Sequence, residues 1–332
     1  MTTILVTGGT GFIGSHTTVA LQQAGYRVLI LDNLSNSSAQ VLDAIADITG
    51  TRPEFVQGDI RDAALLDSLF AAQPVSAVLH FAGLKAVGES VAMPLAYYDN
   101  NVHGSVQLLQ AMQRAQVRTL VFSSSATVYG DPQALPLTED HPRSATNPYG
   151  HTKLVVEDIL ENLHASEAGW RIARLRYFNP VGAHPSGLIG EAPQGVPNNL
   201  MPYVAQVATG QRERVQVFGN DYNTPDGTGV RDYIHVTDLA DGHVHALQYC
   251  LRARQDLLTV NLGTGVGYSV LDMIRAFEQA SGKTIAYDIV GRRTGDIAAC
   301  WADTGLAYEK LGWRARKTIQ DMCDDAWRWE SK

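Results

Sequence analysis

Short apolar runs recur through the first half of the chain, and stretches of helical length lie between most of them. Ile4-Leu5-Val6 and residues 27–31, 55–59, 77–83, 119–123 and 171–178 read as strands, several ending in Asp, Gly or Ser. Residues 15–23, 37–48, 63–70 and 101–113 read as helices. Strands alternating with helices predict an α/β fold, a doubly wound parallel sheet covered on both faces. From Pro180 the pattern loosens, with many Pro and Gly residues and loop-like stretches such as 220–229. This predicts a second, smaller domain closing over a ligand. A helix over 236–250 and a strand over 257–262 are expected to return to the large sheet. The expected division is therefore 1–179 with 233–263, and 180–232 with 264–332.

Between the first strand and the first helix stands Thr7-Gly8-Gly9-Thr10-Gly11-Phe12-Ile13-Gly14. Glycines at such a turn let the backbone approach a pyrophosphate, and the helix N-terminus presents unpaired N–H groups to it. The second strand ends at Asp32, where a dinucleotide-binding unit places the acid that takes the adenine-ribose hydroxyls. A carboxylate there repels a 2′-phosphate, so NAD is the expected cofactor.

The 332 residues are 45% hydrophobic and 18% charged with a net charge of -8, which fits a globular protein. No basic block suggests nucleic acid, and no apolar run is long enough to span a bilayer. The first strand begins almost at once, leaving no room for a signal peptide, and Cys250, Cys300 and Cys323 form no CxxC pair. A cytoplasmic location with reduced thiols is expected. Two Asn-x-Ser matches, at Asn33 and Asn36, are then accidental. His235, His243 and His245 lack a third ligand spaced to complete a metal site, so no metal is expected.

Asn147-Pro148 before Tyr149-Gly150-His151-Thr152-Lys153 predicts a helix start, with Asn as cap and Pro in the first helical position. Tyr149 and Lys153 then share a face. A phenol titrating near pH ~10 must be stabilised as phenolate by roughly 4 kcal/mol to serve near neutrality, and an ammonium and a positive nicotinamide ring can supply this. A surface helix with a snorkelling lysine has the same spacing. Ser125 ends the strand begun at Thr119, and with Tyr149 and Lys153 it makes a proton-transfer set for alcohol–ketone interconversion.

The glycine pattern, Ser125 and Tyr149-x-x-x-Lys153 resemble the extended short-chain dehydrogenase/reductase family. Three stretches are similar to its nucleotide-sugar 4-epimerases: Phe81-Ala82-Gly83-Leu84-Lys85-Ala86-Val87-Gly88-Glu89-Ser90, Arg176-Tyr177-Phe178-Asn179-Pro180-Val181-Gly182-Ala183-His184 and Gly229-Val230-Arg231-Asp232-Tyr233-Ile234-His235-Val236. The resemblance implies a cofactor site of Gly8, Gly11, Phe12, Ile13, Gly14, Asp32, Asn33, Asn36, Asp59, Ile60, Phe81, Ala82, Lys85, Asn100 and Phe178, together with Tyr149 and Lys153. It implies Tyr149 as base, Lys153 on the nicotinamide ribose and Ser125 on the reacting sugar oxygen. Asn179, Asn199, Leu200, Phe218, Arg231, Tyr233, Arg293, Asp296 and Cys300 are implied to hold a UDP-sugar. Arg231 and Arg293 suit a diphosphate, although Arg231 taken alone reads better as a surface ion pair with Asp232. The implied reaction inverts C4 of a UDP-hexose through a 4-keto sugar, in a homodimer.

A 4,6-dehydratase of the same fold needs an Asp-Glu pair after Ser125, where this chain has Ala126-Thr127. An NAD-binding regulator would not need Ser125, Tyr149 and Lys153 together. Cys300 occupies a position where bacterial members of the family limited to glucose and galactose carry Tyr. A small residue there is expected to admit N-acetylated sugars as well.

Overall fold

The computed structural model describes residues 2–192, 197, 199–293 and 295–332. In chain order the elements are β1 (Thr3–Thr7), α1 (Phe12–Gln23), β2 (Arg27–Asp32), α2 (Val41–Thr49), β3 (Glu54–Gln57), α3 (Ala63–Ala72), β4 (Val75–His80), α4 (Val87–Ala92) and α5 (Pro94–Tyr97). A π-helical turn (Tyr98–His103) runs into α6 (Gly104–Arg114), followed by β5 (Thr119–Ser125), α7 (Pro148–Ser166), β6 (Arg171–Tyr177), β7 (Asn179–Val181), α8 (Leu200–Ala208), β8 (Val215–Phe218), β9 (Val230–His235) and α9 (Val236–Arg252). The chain ends with β10 (Asp256–Leu262), β11 (Gly267–Ser269), α10 (Val270–Ser281), β12 (Tyr287–Val290), β13 (Ala299–Cys300), α11 (Gly305–Leu311) and α12 (Ile319–Glu330).

Seven strands form one parallel sheet in the order β10-β6-β5-β4-β1-β2-β3. Alternation along the strands explains the unbroken hydrophobic runs. Ile4, Val6, Val28 and Ile30 join one core cluster, while Leu5, Leu29 and Leu31 join another, so both faces are covered. The expected doubly wound sheet is present, and β10 pairs with β6 from Asp256↔Arg171 to Leu262↔Tyr177. The order turns at β1 and β4, whose C-terminal ends leave the crevice where such sheets bind ligands.

Three helices, α8, α10 and α12, surround a third cluster containing Met201, Val217, Phe277 and Met322. Beside it lie two small sheets, β12-β8 and one in which β9 pairs with β7, β11 and β13.

Two expected boundaries shift. The helix expected from residue 37 starts at Val41, because Ser37 donates its hydroxyl to Asp32 and belongs to the turn. The helix expected from residue 101 is preceded by α5 and the π-helical turn, which lack a helical apolar stripe. The loop-like 180–230 region also contains α8 and β8.

Candidate active site

The glycine turn is set by sterics. Gly8 has φ +70°, and a Cβ on it would lie 2.6 Å from the Ala82 nitrogen, while a Cβ on Gly14 would strike the Gly8 carbonyl oxygen. Gly11 is the N-cap of α1 and provides no side-chain cap, and the first turn carries no acid. The first amides of α1, those of Phe12 and Ile13 among them, are thus left for an anion. The Asp32 carboxylate, almost buried, accepts from the Thr10 N–H at 3.1 Å and the Leu34 N–H at 2.9 Å, so it is fixed at the rim of the turn. Asn33 donates to Asp59 at 2.9 Å, and the Arg61 guanidinium holds the Asp59 carboxyl far below its ordinary range. These groups fit the diphosphate and adenosine of a dinucleotide.

Other members of the expected cofactor set lie around the same crevice. Phe81 and Ala82 follow β4, and both their N–H groups donate to the Thr7 carbonyl oxygen. Ile60 is buried, and a Cβ added to Gly104 would lie 2.6 Å from its side chain. Asn36 is exposed on the loop after β2, and Asn100 donates to Asn101 at 3.0 Å.

The catalytic candidates meet where β5 ends. Asn147 accepts from the Gly150 N–H at 2.9 Å and Pro148 occupies the first turn, as expected for the start of α7. This brings the Tyr149 phenol beside Ser125. Burial pushes the Tyr149 phenol up, and the Ser125 bond pulls it down. Lys153 is buried, its ammonium donates to the Ser123 carbonyl oxygen at 2.7 Å, and burial lowers its pKa to about 8. A Cβ on Gly83, in the loop after β4, would lie 3.7 Å from that ammonium, so the lysine faces the same crevice as the glycine turn.

The expected sugar-nucleotide residues gather on β7, β8, β9 and the segments beside them. The surface ion pair between Arg231 and Asp232 is absent. Asp232 is fully buried and accepts from Thr264, Gly265 and Ala302, while Arg231 donates to the carbonyl oxygen of Val230 at 2.9 Å. Alternation along β9 sends the two side chains to opposite faces. The Arg293 guanidinium stacks 4.6 Å from the Phe218 ring centroid and pairs with Asp296 at 2.9 Å. Burial pushes the Tyr233 phenol up to about 12, while Arg231 and Arg293 pull it down, which places both cations near one ring. Asn179 is exposed and pairs in register with Tyr233. Cys300 pairs in register with Arg231 and lies in one cluster with Phe178 and Ala126, the residue after Ser125.

Two expected contacts take another form. Lys85 donates to Glu191 at 2.8 Å, and Asn199, which precedes Leu200 at the start of α8, donates to the same oxygen at 2.7 Å. Glu191 was not anticipated, because nothing in its local sequence pairs it with residues so distant. Asn101 was also missed. Its buried amide accepts from the Leu84 N–H and donates to the Leu84 carbonyl and to Thr152, joining the loop after β4 to α7. The three histidines have separate partners: Asp325 and Thr237 for His235, the Leu239 carbonyl for His243 and the Leu311 carbonyl for His245. Among the described residues, no helix is long and apolar enough to cross a membrane.

The sheet order, glycine turn and Ser–Tyr–Lys set define an NAD-dependent enzyme of the extended short-chain dehydrogenase/reductase type. Residues 5–326 match the family described as GDP-mannose 4,6 dehydratase. The UDP-glucose 4-epimerase of Bacillus subtilis is 58% identical over 328 residues, covering 99% of this chain and 96% of that protein. A Stenotrophomonas maltophila UDP-glucose 4-epimerase structure with bound NAD and formylated UDP-arabinopyranose has TM-score 0.98 and 56% identity, covering 100% of this chain and 98% of that one. The Bifidobacterium longum enzyme in complex with NAD+ and UDP has TM-score 0.96 and 53% identity, covering 99% and 98%. The chain belongs to the UDP-glucose 4-epimerase family.

Proposed function

We propose that the chain inverts C4 of UDP-hexoses, converting UDP-galactose to UDP-glucose through a 4-keto sugar. The observation that carries this reading is the junction of Ser125, Tyr149 and Lys153 beside the glycine turn. Ala126-Thr127 follow directly and supply no acid–base pair for loss of water, so a dehydratase is disfavoured despite the name of the wider family. When bound, NAD supplies a reversible hydride acceptor and a positive ring that draws on the Tyr149 proton.

The rest falls to the chain. Gly8, Gly11, Gly14 and the α1 amides would hold the diphosphate of the cofactor, and Asp32 its adenine ribose. Tyr149 takes the 4′-hydroxyl proton, and Ser125 shares its hydrogen bond with the reacting oxygen. Arg231 and Arg293 clamp the UDP diphosphate, so the keto sugar turns about a fixed anchor and presents its other face. The test is incubation with UDP-galactose and no added cofactor. Formation of UDP-glucose supports the reading, and a need for added NAD with net oxidation would replace it.

The reading extends to organisation and range. For the proposed division into 1–179 with 233–263 and 180–232 with 264–332, the β10–β6 pairing supports the return of 256–262 to the large sheet, whereas β9 pairs in the small sheet and Ala307, Leu311 and Trp313 pack in the large-sheet core, so the boundaries fall elsewhere. Exposed Val91, Met93 and Leu95, clustered along α4 and α5, support a homodimer. Three free, buried cysteines suit a cytoplasmic protein. The small side chain of Cys300 beside Phe178 supports acceptance of UDP-N-acetylhexosamines.

A further inference from the structure

Tyr149, Lys153 and Glu157 lie four residues apart on α7 and form one stripe along the helix. Each engages a different residue of Ser123-Ser124-Ser125. Tyr149 stands beside Ser125, the Lys153 ammonium donates to the Ser123 carbonyl oxygen at 2.7 Å, and the Ser124 hydroxyl donates to Glu157 Oε1 at 2.6 Å. Three successive helix turns thus read three successive residues of the strand end. Glu157 is completely buried, and nothing in the proposed chemistry uses it.

A carboxylate at this depth needs compensation, and Arg176 supplies it as a fork. Its Nε donates to Glu157 Oε1 at 2.9 Å and its Nη2 to Oε2 at 2.7 Å. Arg143 reaches Oε2 at 3.2 Å, and Arg174 donates to the Glu157 backbone carbonyl at 3.2 Å. The surrounding negative charges are Asp158 and Glu161, both paired to Arg143, and Glu139, whose backbone carbonyl accepts from Arg176. Tyr129 closes the shell through its hydroxyl, which accepts from Arg176 at 3.1 Å.

We propose that Glu157 is a positioning residue of the catalytic set: its bond to Ser124 fixes the register of α7 on the end of β5, and its carboxylate stands one helix turn from Lys153 as a counter-charge to that ammonium. The inference rests on the reading of Ser125, Tyr149 and Lys153 given above. Burial pushes the Glu157 carboxyl up, but the Arg176 fork brings it below its ordinary value, so it is ionised at neutrality. Burial also depresses Lys153, and Glu157 is the group that pulls it back up. A Gln here has nearly the same shape, yet it would turn an NH2 toward the guanidiniums and remove the charge beside Lys153.

The experiment compares kcat, KM and the pH profile of the NAD-bound enzyme with its Glu157→Gln, Glu157→Asp, Ser124→Ala and Lys153→Ala variants on UDP-galactose. With Glu157→Gln, kcat should fall at least about tenfold while KM changes little, and the alkaline limb should move to lower pH. Glu157→Asp should restore the limb, since the charge is kept, while kcat stays reduced. Ser124→Ala should lower kcat severalfold with the limb unmoved. Wild-type kcat in Ser124→Ala, or an unmoved limb in a folded Glu157→Gln variant, overturns the proposal. If Glu157→Gln does not fold, an alkaline limb of Glu157→Asp displaced from wild type overturns it instead. Lys153→Ala separates the two levels: an unaltered profile there defeats the catalytic reading itself, whereas an altered profile with a silent Glu157→Gln defeats only the inference.

Discussion

The Lys153 ammonium donates to the Ser123 backbone carbonyl oxygen at 2.7 Å, two residues before Ser125 on the same strand. The bond sets the height of α7 against β5 and uses one of the three ammonium protons. The others remain for a ribose hydroxyl of the proposed cofactor.

This arrangement gives a pH prediction. Burial lowers the Lys153 pKa to about 8, so the ammonium is present below that pH and is lost as pH rises through it. Activity should therefore decline on the alkaline side near pH 8. Lys153→Ala should abolish that limb, raise the acid limb set by Tyr149 and weaken cofactor retention. Profiles of kcat between pH 5 and 10 check this, and a variant with wild-type limbs contradicts it.

Tyr149→Phe keeps the ring and removes the oxygen that meets Ser125. Turnover should fall by at least about a thousandfold, toward loss of both the general base and its electrostatic support. UDP affinity and melting temperature should stay near wild type. Substantial remaining turnover would make Ser125 the base to examine next.

Because the reaction is redox-neutral, the cofactor has no need to leave. The desalted protein should release NAD or NADH when denatured, and it should turn over UDP-galactose without supplementation. Gly8→Ala should abolish this retention, since its Cβ would press on the Ala82 nitrogen at 2.6 Å. Assay of the denatured supernatant decides the matter.

Residues whose meaning is local were legible in the sequence. Gly8, Gly14 and Asp32 belong to one strand–turn–helix–strand unit, and Asn147-Pro148 declares its helix start within two residues. Residues whose meaning depends on distant partners were not. Asp232 was weighed as the partner of Arg231, but strand alternation turns it toward Thr264 and Ala302. Glu157 lies mid-helix like a solvated glutamate, and only the docking of Arg176 from β6 and Ser124 from β5 shows it to be buried. Asn101 sits in a π-helical turn with no apolar periodicity to announce it.

Acid stability should reflect three buried histidines. Burial lowers His16 to about 3, His80 to about 3 and His243 to about 4. Unfolding exposes them to water, where they bind protons near pH ~6.5. From about pH 6.5 down to those folded values the unfolded chain binds more protons, so stability falls as pH falls. Each group contributes up to about 1.4 kcal/mol per pH unit. Urea unfolding at pH 7 and pH 5 should show the loss. His243→Gln, which replaces a ring whose Nε2 has no partner among the described residues, should lessen the loss by the share of that one histidine.

The last prediction concerns the Cys300 side chain. It is buried in a cluster with Phe178 and Ala126, the residue after Ser125, and its backbone is in register with Arg231. Burial pushes its thiol up to about 12, which removes it from nucleophilic or redox chemistry and leaves size as its contribution. The 4-keto sugar must fit in two orientations, and an N-acetyl group sweeps additional volume as it turns. A clash in a packed site costs on the order of 1–3 kcal/mol, equivalent to roughly one to two powers of ten in rate. Wild-type enzyme should therefore interconvert UDP-N-acetylglucosamine and UDP-N-acetylgalactosamine. Cys300→Tyr should lower kcat/KM for that pair by about ten- to a hundredfold and change the UDP-galactose value by less than about threefold. Equal slowing of both sugars would show that the Tyr disrupts the Phe178 cluster instead of filling the pocket, and a wild-type enzyme inert toward UDP-N-acetylgalactosamine would remove the role of Cys300 altogether.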